Sequence, residues 1–567
     1  MAISSTAVPA DRAPDAAQRD WHPITLVFLA GLWIAAAANW PLWRALAALP
    51  EMHGLRFAVF GASMFVAVAA LTALVLLPLS SRRVLRPAIT LFLLAAAFGA
   101  YFMSSYGVVI DPTMMVNVLQ TDVRETRDLL SLRMALTVVA VGVLPALWLW
   151  RQPLRAPTGR WPSRVLVRMI AAAALLAAIV GLGYANFQTL SSTTRNHKEL
   201  RYLINPLNSV YALGRIAFAA QARPAGPPQP IGLDARLLAA PPGAKPPLVL
   251  LVVGETARAD HFALNGYERP TNPELSRIEG LVSFRQVRSC GTSTAASLPC
   301  MFSPLGRQAF LDRQQDSENL VDLLQRAGLA VLWLDNQSGC KGLCERVPHA
   351  STAQPAPGQF SAPGALCHGG ECLDEALLYD LDARIAALDA QRRARGVVVV
   401  LHQMGSHGPA YASRSPAERK PFAPECTSNV LQDCASDALV NAYDNSIVYT
   451  DHVLSQAVAW LAARNDAWST AMLYVSDHGE SLGENGLYLH GVPYAIAPQA
   501  QTHVPMLLWL GSGAKRALGV DGSCLERLRD APLSHDNLFH TTLGLAGVRA
   551  SEYRSELDAI ANCRTAG

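Results

Sequence analysis

Met472-Leu-Tyr-Val-Ser-Asp-His-Gly-Glu480 is a short apolar run that ends in an acid, an imidazole and a second acid. Apolar on both faces and too short for a helix, Met472 to Val475 reads as a strand buried in a sheet covered on both sides. Four other runs have the same form: Leu248-Val-Leu-Leu-Val-Val253, Leu329-Ala-Val-Leu-Trp-Leu334, Val397-Val-Val-Val-Leu401 and Pro505-Met-Leu-Leu-Trp-Leu510. Helical spacing runs between them from Leu373 to about Arg393 and from Ala438 to about Arg464. Residues 248–567 are therefore expected to form an α/β sandwich around a parallel sheet.

Ligands of such a sheet gather beyond the carboxyl ends of its strands. The first run leads into Gly254-Glu255-Thr256-Ala-Arg258, the second into Asp335-Asn336-Gln337, and the third into His402, with Ser406-His407-Gly408 just beyond. The fourth leads into Asp477-His478. A metal centre assembled from a sheet needs polar strand ends of this kind. Glu255, Asp477 and His478 supply two carboxylates and one imidazole. Thr294, in Cys290-Gly-Thr-Ser-Thr-Ala-Ala-Ser-Leu-Pro-Cys300, completes a tetrahedral zinc set. A hydroxyl on zinc loses its proton more readily, which makes Thr294 a candidate nucleophile. Plainer readings stand beside these. Glu255 could pair with Arg258, Asp477 could cap a helix, and His407, His490 and His503 could be ordinary loop residues.

The other half of the chain differs in kind. With 51% hydrophobic and 16% charged residues and a mean hydropathy of +0.20, the 567-residue chain is too apolar for an ordinary soluble enzyme. A net charge of +3 gives no basic footprint for nucleic acid, and none is expected as a partner. Five apolar runs, at about 24–42, 57–79, 88–105, 134–150 and 165–186, each approach the length that crosses a bilayer. With the N-terminus cytoplasmic, the inner segments carry Arg12, Arg19, Arg82, Arg83, Arg86, Arg151, Arg155, Arg160 and Arg164. The outer ones carry Arg44, Arg56, Arg124, Arg127 and Arg133, so the bias has the positive-inside sense. Five spans then put everything after residue 186 outside the cytoplasm.

The implied organisation is a cytoplasmic tail at 1–21, a membrane domain of five helices at 22–187, an interfacial helix and Pro-rich linker at 188–247, and an extracytoplasmic domain at 248–567. The outer loop from Asp111 to Glu125 mixes Met and Val with polar residues, as an amphipathic interfacial segment does, although a plain connector fits equally. All ten cysteines lie at or beyond residue 290, which suits an oxidising compartment. Their spacing suggests local pairs, Cys290 with Cys300, Cys340 with Cys344, Cys367 with Cys372 and Cys426 with Cys434. Cys524 and Cys563 are left for a longer bridge. Zinc knuckles compete with disulfides, but companion histidines at knuckle spacing are missing.

Taken together, Gly254-Glu-Thr-Ala-Arg-Ala-Asp260-His, Cys290-Gly-Thr-Ser-Thr294, Gly405-Ser-His407-Gly-Pro and Ser476-Asp-His-Gly-Glu-Ser-Leu-Gly-Glu-Asn-Gly-Leu-Tyr-Leu-His490 closely resemble the membrane-bound phosphoethanolamine transferases that modify lipid A. Those enzymes belong to the alkaline-phosphatase/sulfatase-like superfamily, and the resemblance covers nearly the whole chain. It implies zinc held by Glu255, Thr294, Asp477 and His478, with Thr294 receiving the phosphoethanolamine group. A second ion held partly by histidines is compatible with it but not required. It also implies substrate contacts at Gln337, Lys341, His407 and His490, with Asn117 and Glu125 placing the lipid and the two histidines moving protons. The implied donor is phosphatidylethanolamine, the acceptor is lipid A, and the setting is the bacterial inner membrane with the catalytic domain in the periplasm. No obligate protein partner is expected. Three other readings remain at this point: a transferase acting on a lipopolysaccharide core sugar, osmoregulated glucan or protein glycan; a membrane-bound phosphodiesterase; and a noncatalytic envelope assembly or sensor protein.

Overall fold

A computed structural model describes residues 20–121, 123–156, 160–222, 226–239, 241–352, 363–368 and 371–564. The N-terminal tail through Arg19, linker residues 223–225 and 240, and the side chains of Arg124 and Glu125 lie outside the described residues. The chain divides into two compact units, one of residues 1–104 with 132–208 and one of 105–131 with 209–567.

The first unit is helical. Four of its helices are long and apolar enough to cross a membrane, Gly54–Leu79, Leu85–Tyr106, Leu132–Arg151 and Trp161–Ala185. The first apolar run is not straight: Pro23–Ala38 and Trp40–Ala47 meet at a 53° bend, so the number of spans is four, or five with this broken one. The break follows from the sequence. Pro41 cannot donate to the preceding turn, and Asn39 leaves helical geometry with φ −106° and ψ 21°. The Asn39 side chain then donates to Ile34 O at 2.9 Å and to Asn205 O at 2.7 Å. Asn205 returns the bond from its main-chain N–H, and its side chain donates to Ala38 O and Ala96 O at 2.9 and 2.6 Å. This buried amide pair satisfies carbonyl groups at the bend, as Trp43 Nε1 does for Ala35 O at 2.8 Å.

In the second unit an eight-stranded sheet forms the middle layer. Its strands are β1 (Pro247–Gly254), β2 (Leu281–Arg288), β3 (Ala330–Asp335), β4 (His349–Ser351), β5 (Val397–His402), β6 (Ser469–Ser476), β7 (His503–Leu510) and β8 (Pro532–Ser534). They lie in the order β8-β2-β7-β6-β1-β5-β3-β4. Residues 248–253 and 397–402 are buried on both faces, as their unbroken Val/Leu runs require. Each such side chain contributes about 1.5–3 kcal/mol on leaving water.

Three sequence readings need correction here. The Pro505–Leu510 run belongs to a strand antiparallel to both β6 and β2, so the sheet is mixed rather than parallel. A strand apolar on both faces carries no mark of its direction. The stretch from Leu373 to Arg393 is helical but broken into three short helices, Asp374–Leu377, Leu381–Ala386 and Ala390–Arg395. Asp380 at φ 53° breaks the run, and Asp389 caps the last turn by accepting from Arg392 N. The segment read as an outer loop of the membrane half packs with the second unit instead, as helices α1 (Pro112–Gln120) and α2 (Val123–Leu129).

The helix read from Ala438 to Arg464 forms as one element, Ser436–Ala462. All five expected disulfides are present. Cys290 is bonded to Cys300, Cys340 to Cys344, Cys367 to Cys372 and Cys426 to Cys434, and the longer bridge joins Cys524 to Cys563. The knuckle reading therefore fails, since no cysteine is free to ligate a metal among the described residues.

Replacing Asn205 by Ala strips the donors from two buried carbonyls, and we expect it to cost about 2–3 kcal/mol. Thermal unfolding of the full chain in detergent checks this. An unchanged midpoint would show that the amide pair does not hold the bend.

Candidate active site

Strands β1 and β6 are parallel neighbours in register, with Gly254 opposite Ser476. The next residue on each is an acid, so the pairing itself sets Glu255 beside Asp477. Both are fully buried, as is His478. These three are the one group of side chains that converges as metal ligands among the described residues, their donor atoms lying within 4.8 Å of one another. His478 Nε2 is 3.3 Å from Glu255 Oε1 and 3.5 Å from Asp477 Oδ2. The other ring nitrogen, Nδ1, donates to Gly479 O at 2.8 Å, which orients the ring and leaves Nε2 towards the carboxylates, where a cation would replace its proton.

Thr294 completes the cluster. It is the first residue of α3 (Thr294–Met301), and its hydroxyl lies 3.1 Å from both Glu255 oxygens and 3.5 Å from His478 Nε2. A hydroxyl at a helix N-terminus sits in the positive end of the helix dipole, which favours the alkoxide. The loop before it is shaped by the Cys290–Cys300 bridge and by Ser297 Oγ, which accepts from Gly291 N at 2.9 Å.

The electrostatics mark a site built for a cation. Burial and the adjacent Glu255 charge push the Asp477 carboxyl above its usual range. Burial acts to raise Glu255 too, but the hydrogen bond and charge of His478 outweigh it and hold that carboxyl low. Burial acts to lower His478, yet Asp477 and Glu255 raise it to about 10. Asp477 Oδ2 is buried with no hydrogen-bond partner. Two carboxylates, an imidazole lone pair and a hydroxyl, with a carboxylate oxygen unsatisfied, match the oxygen and nitrogen donors that Zn²⁺ takes in tetrahedral geometry.

The plainer readings fail on contacts. Arg258 pairs with Asp260 at 2.8 Å and Glu484 at 2.5 Å, not with Glu255. Asp477 caps no helix; its Oδ1 accepts from Thr256 N and His478 N.

Histidines extend the cluster on one side. The His490 ring lies 4.3 Å from that of His478 and 5.8 Å from that of His407. Burial, then the charges of His478 and His407, push His490 well below the ordinary histidine range. Its Nδ1 is buried and without a partner. His503 stands apart, with Nε2 against Arg285 O.

Gln337 and Lys341 lie on the loop after β3. The main-chain N–H of Gln337 donates to Asp335 at 3.0 Å, and Lys341 Nζ donates to Ser338 Oγ at 2.8 Å. Asn117 is half-buried on α1, which packs on α3, the helix that Thr294 opens. Glu125 belongs to α2, its side chain outside the described residues.

Five residues around the site were given no role by the sequence reading. Glu480 is fully buried with both oxygens unpartnered, and burial pushes its carboxyl to about 8. Its place in Asp477-His-Gly-Glu480 was the only available signal. Asp374 holds the 404–405 turn by accepting from Met404 N and Gly405 N. Gly405, at φ +52°, lies against the Glu255 main chain, where a Cβ would come within 2.6 Å of Glu255 O. Arg414 donates to His407 O, Glu371 and Asp128, each at 2.9 Å, and so ties α2 to the histidine loop. His535 accepts from Cys290 N at 3.0 Å through Nδ1, and its Nε2 donates to Ser476 O at 2.9 Å. It thereby joins the Thr294 loop to the strand that carries Asp477.

Burial pushes His535 down to about 4. Its neutral form is the one that bonds, so its contribution to stability is present above the unfolded value near 6.5 and is lost as pH falls towards 4. We expect the full chain to lose up to about 3 kcal/mol from this group over that window. In His535→Asn the fall between pH 6.5 and 4.5 should be shallower. Parallel pH profiles of unfolding for the two proteins would contradict this.

Comparisons with known proteins agree with this architecture. Residues 247–548 match the sulfatase family model, and residues 68–220 match the model for phosphoethanolamine transferase EptA/EptB. Phosphoethanolamine transferase EptA of Escherichia coli K12 is 41% identical over 492 residues, covering 84% of this chain and 86% of the relative. Phosphatidylethanolamine transferase Mcr-1 of Escherichia coli is 38% identical over 545 residues, covering 95% and 97%. The solved structure of lipooligosaccharide phosphoethanolamine transferase A from Neisseria meningitidis superposes with a TM-score of 0.89 at 35% identity, covering 96% of this chain and 99% of that one. A helical unit with membrane-spanning lengths, a sulfatase-like α/β unit and a buried carboxylate–imidazole–threonine cluster thus come together in one chain, which belongs to the EptA family of phosphoethanolamine transferases.

Proposed function

We propose that the chain transfers phosphoethanolamine from phosphatidylethanolamine to a phosphate of lipid A, by way of a covalent intermediate on Thr294. The observation that carries this is the Thr294 hydroxyl at the N-terminus of α3, equidistant at 3.1 Å from both oxygens of a buried carboxylate. The names of the relatives support the chemical class, Mcr-1 being named for phosphatidylethanolamine and the Neisseria enzyme for lipooligosaccharide. Acceptors on core sugar or other glycans are the competing outcome of the test below.

Glu255, Asp477, His478 and Thr294 would hold one zinc ion, which when bound supplies Lewis acidity that favours the threonine alkoxide and offsets charge on the phosphodiester. The protein's own groups supply the rest. Thr294 Oγ1 attacks the donor phosphorus; the new O–P bond forms as the bond to the glycerol oxygen breaks, and diacylglycerol leaves. The hydroxyl proton passes to His490, whose ring lies 4.3 Å from that of His478 and whose buried Nδ1 has no other partner. From there it reaches the departing glycerol oxygen. In the second step a protonated oxygen of the lipid A phosphate attacks the same phosphorus; the new O–P bond forms as the bond to Thr294 breaks, and the acceptor's proton passes through His490 to Thr294 Oγ1. His407, beside His490, orients the phosphoryl oxygens, and Lys341 offsets their charge on entry.

Both substrates are lipids, so a site tethered to the bilayer meets them at high effective concentration. Asn117 and Glu125, on the helices packed with the catalytic unit, would place the donor headgroup. The proposed setting is the bacterial inner membrane with the catalytic unit in the periplasm, in keeping with the arginine bias and five disulfides. Adding an amine to lipid A lowers surface negative charge and weakens attraction for cationic peptides such as polymyxins.

The test uses purified full chain, zinc and phosphatidylethanolamine labelled in the headgroup, with lipid A as acceptor. Wild type should carry label to lipid A and show a phosphoethanolamine adduct by intact mass. Thr294→Ala should lose both, with transfer down at least about 10³-fold. Label on another glycan would overturn the acceptor, label released as free phosphoethanolamine would make the chain a phosphodiesterase, and full transfer by Thr294→Ala would overturn the intermediate.

A further inference from the structure

Three apolar helices of the first unit, Pro23–Trp33, Leu85–Tyr106 and Trp161–Ala185, begin around one cavity of about 320 Å³. Residues 22–24 line it from the first, 80–83 from the turn before the second, and 163, 164, 167 and 168 from the opening turns of the third. Five arginines line it, Arg82, Arg83, Arg155 and Arg164 exposed and Arg168 half-buried. No acid lines the cavity, and among the described residues none of the five arginines is in an ion pair. Ser80 also lines it, 2% exposed, with a hydroxyl that has no hydrogen-bond partner.

Charges of one sign held together without counter-charge repel, and the helix N-termini add partial positive charge at the same place. The arrangement therefore favours an anion with several acceptor oxygens. A phosphate meets that description, since guanidinium forks and a hydroxyl donor match its oxygens. The surroundings distinguish a lipid phosphate from a soluble one. The helix Trp161–Ala185 is buried over only 6% of its most apolar stretch. Next to the arginines it presents Leu166, Val167 and Ile170, each about half exposed or more. An acyl chain leaving the cavity would run along that wall.

We propose that this cavity is a binding site for an anionic phospholipid, with the phosphate among the arginines and Ser80 and the acyl chains along the Trp161–Ala185 helix. A zwitterionic headgroup fits less well, because its ammonium meets charges of its own sign. With the orientation proposed above, the lipid belongs to the cytoplasmic leaflet. Binding itself depends neither on that orientation nor on the transfer chemistry.

The test is native mass spectrometry of the full chain in detergent, titrated with dioleoylphosphatidylglycerol or with dioleoylphosphatidylethanolamine. Wild type should retain phosphatidylglycerol in preference. Arg82→Gln/Arg164→Gln should weaken that binding at least about tenfold, taking about fivefold for each cation near anionic lipid, while uptake of phosphatidylethanolamine stays unchanged. Arg82→Lys/Arg164→Lys should retain most of the preference, and Arg44→Gln/Arg56→Gln, remote from the cavity, all of it. Should the double variant misfold, Arg168→Gln alone should still show about a fivefold loss. Equal retention of the two lipids by wild type would overturn the proposal, as would undiminished phosphatidylglycerol binding in the arginine variants. Displacement of the lipid by millimolar inorganic phosphate would assign the cavity to a soluble anion and overturn the lipid.

Discussion

Two carboxylates are buried against each other at the ends of adjacent parallel strands, with one imidazole to share between them. Taking Glu255 and Asp477 out of water together is unfavourable unless a positive charge sits with them. Protonated His478 can supply one such charge, which is why its proton is held up to about 10. A bound divalent cation does so better, because it also satisfies the free oxygen of Asp477 and the Thr294 hydroxyl. The register of β1 on β6 makes the juxtaposition unavoidable, since any pairing of Gly254 with Ser476 brings the next residues side by side.

The remaining architecture keeps that unfavourable pair in place. Tyr443 reaches from the long Ser436–Ala462 helix, donating to Thr256 O at 2.7 Å and accepting from Arg258 N, and so clamps the turn that follows β1. Asp374 and Gly405 press the histidine loop against the Glu255 main chain, where only a residue without a Cβ fits. His535 links the loop before Thr294 to β6. Arg414 carries the connection outward to α2, so a segment lying between two apolar spans in sequence is held by the domain that does the chemistry. This gives α1 and α2 a fixed relation to the buried cluster of the same unit.

Much of the site was legible because apolar runs reveal where strands end, and Glu255, Asp477 and His478 at those ends converge, whereas Asp335 and His402 pair with each other instead. Glu255, Asp477 and His478 follow from that logic directly. Thr294 needed more: a hydroxyl between two cysteines is an ordinary loop feature, and the family resemblance gave it a role. Strand direction was hidden, because β7 is apolar on both faces and a run of that kind reads the same both ways. Leu281–Arg288 was missed, its Arg, Gln and Ser interrupting the apolar pattern while it still pairs on both sides within the sheet. Contacts between remote residues left no local trace. His535 meets Cys290 across 245 positions and Arg414 meets Asp128 across 286. Glu480 stood in full view inside a motif, but its burial is a property of the folded chain.

The central claim is that Glu255, Asp477, His478 and Thr294 close on one zinc ion. Zinc K-edge X-ray absorption on the purified, zinc-loaded full chain reads this most directly, with Thr294→Val alongside. The account predicts one nitrogen and otherwise oxygen neighbours at about 2.0–2.2 Å, and a changed oxygen shell in the variant. Two or more imidazole neighbours, or a shell indifferent to Thr294, would place the metal among the histidines and contradict it.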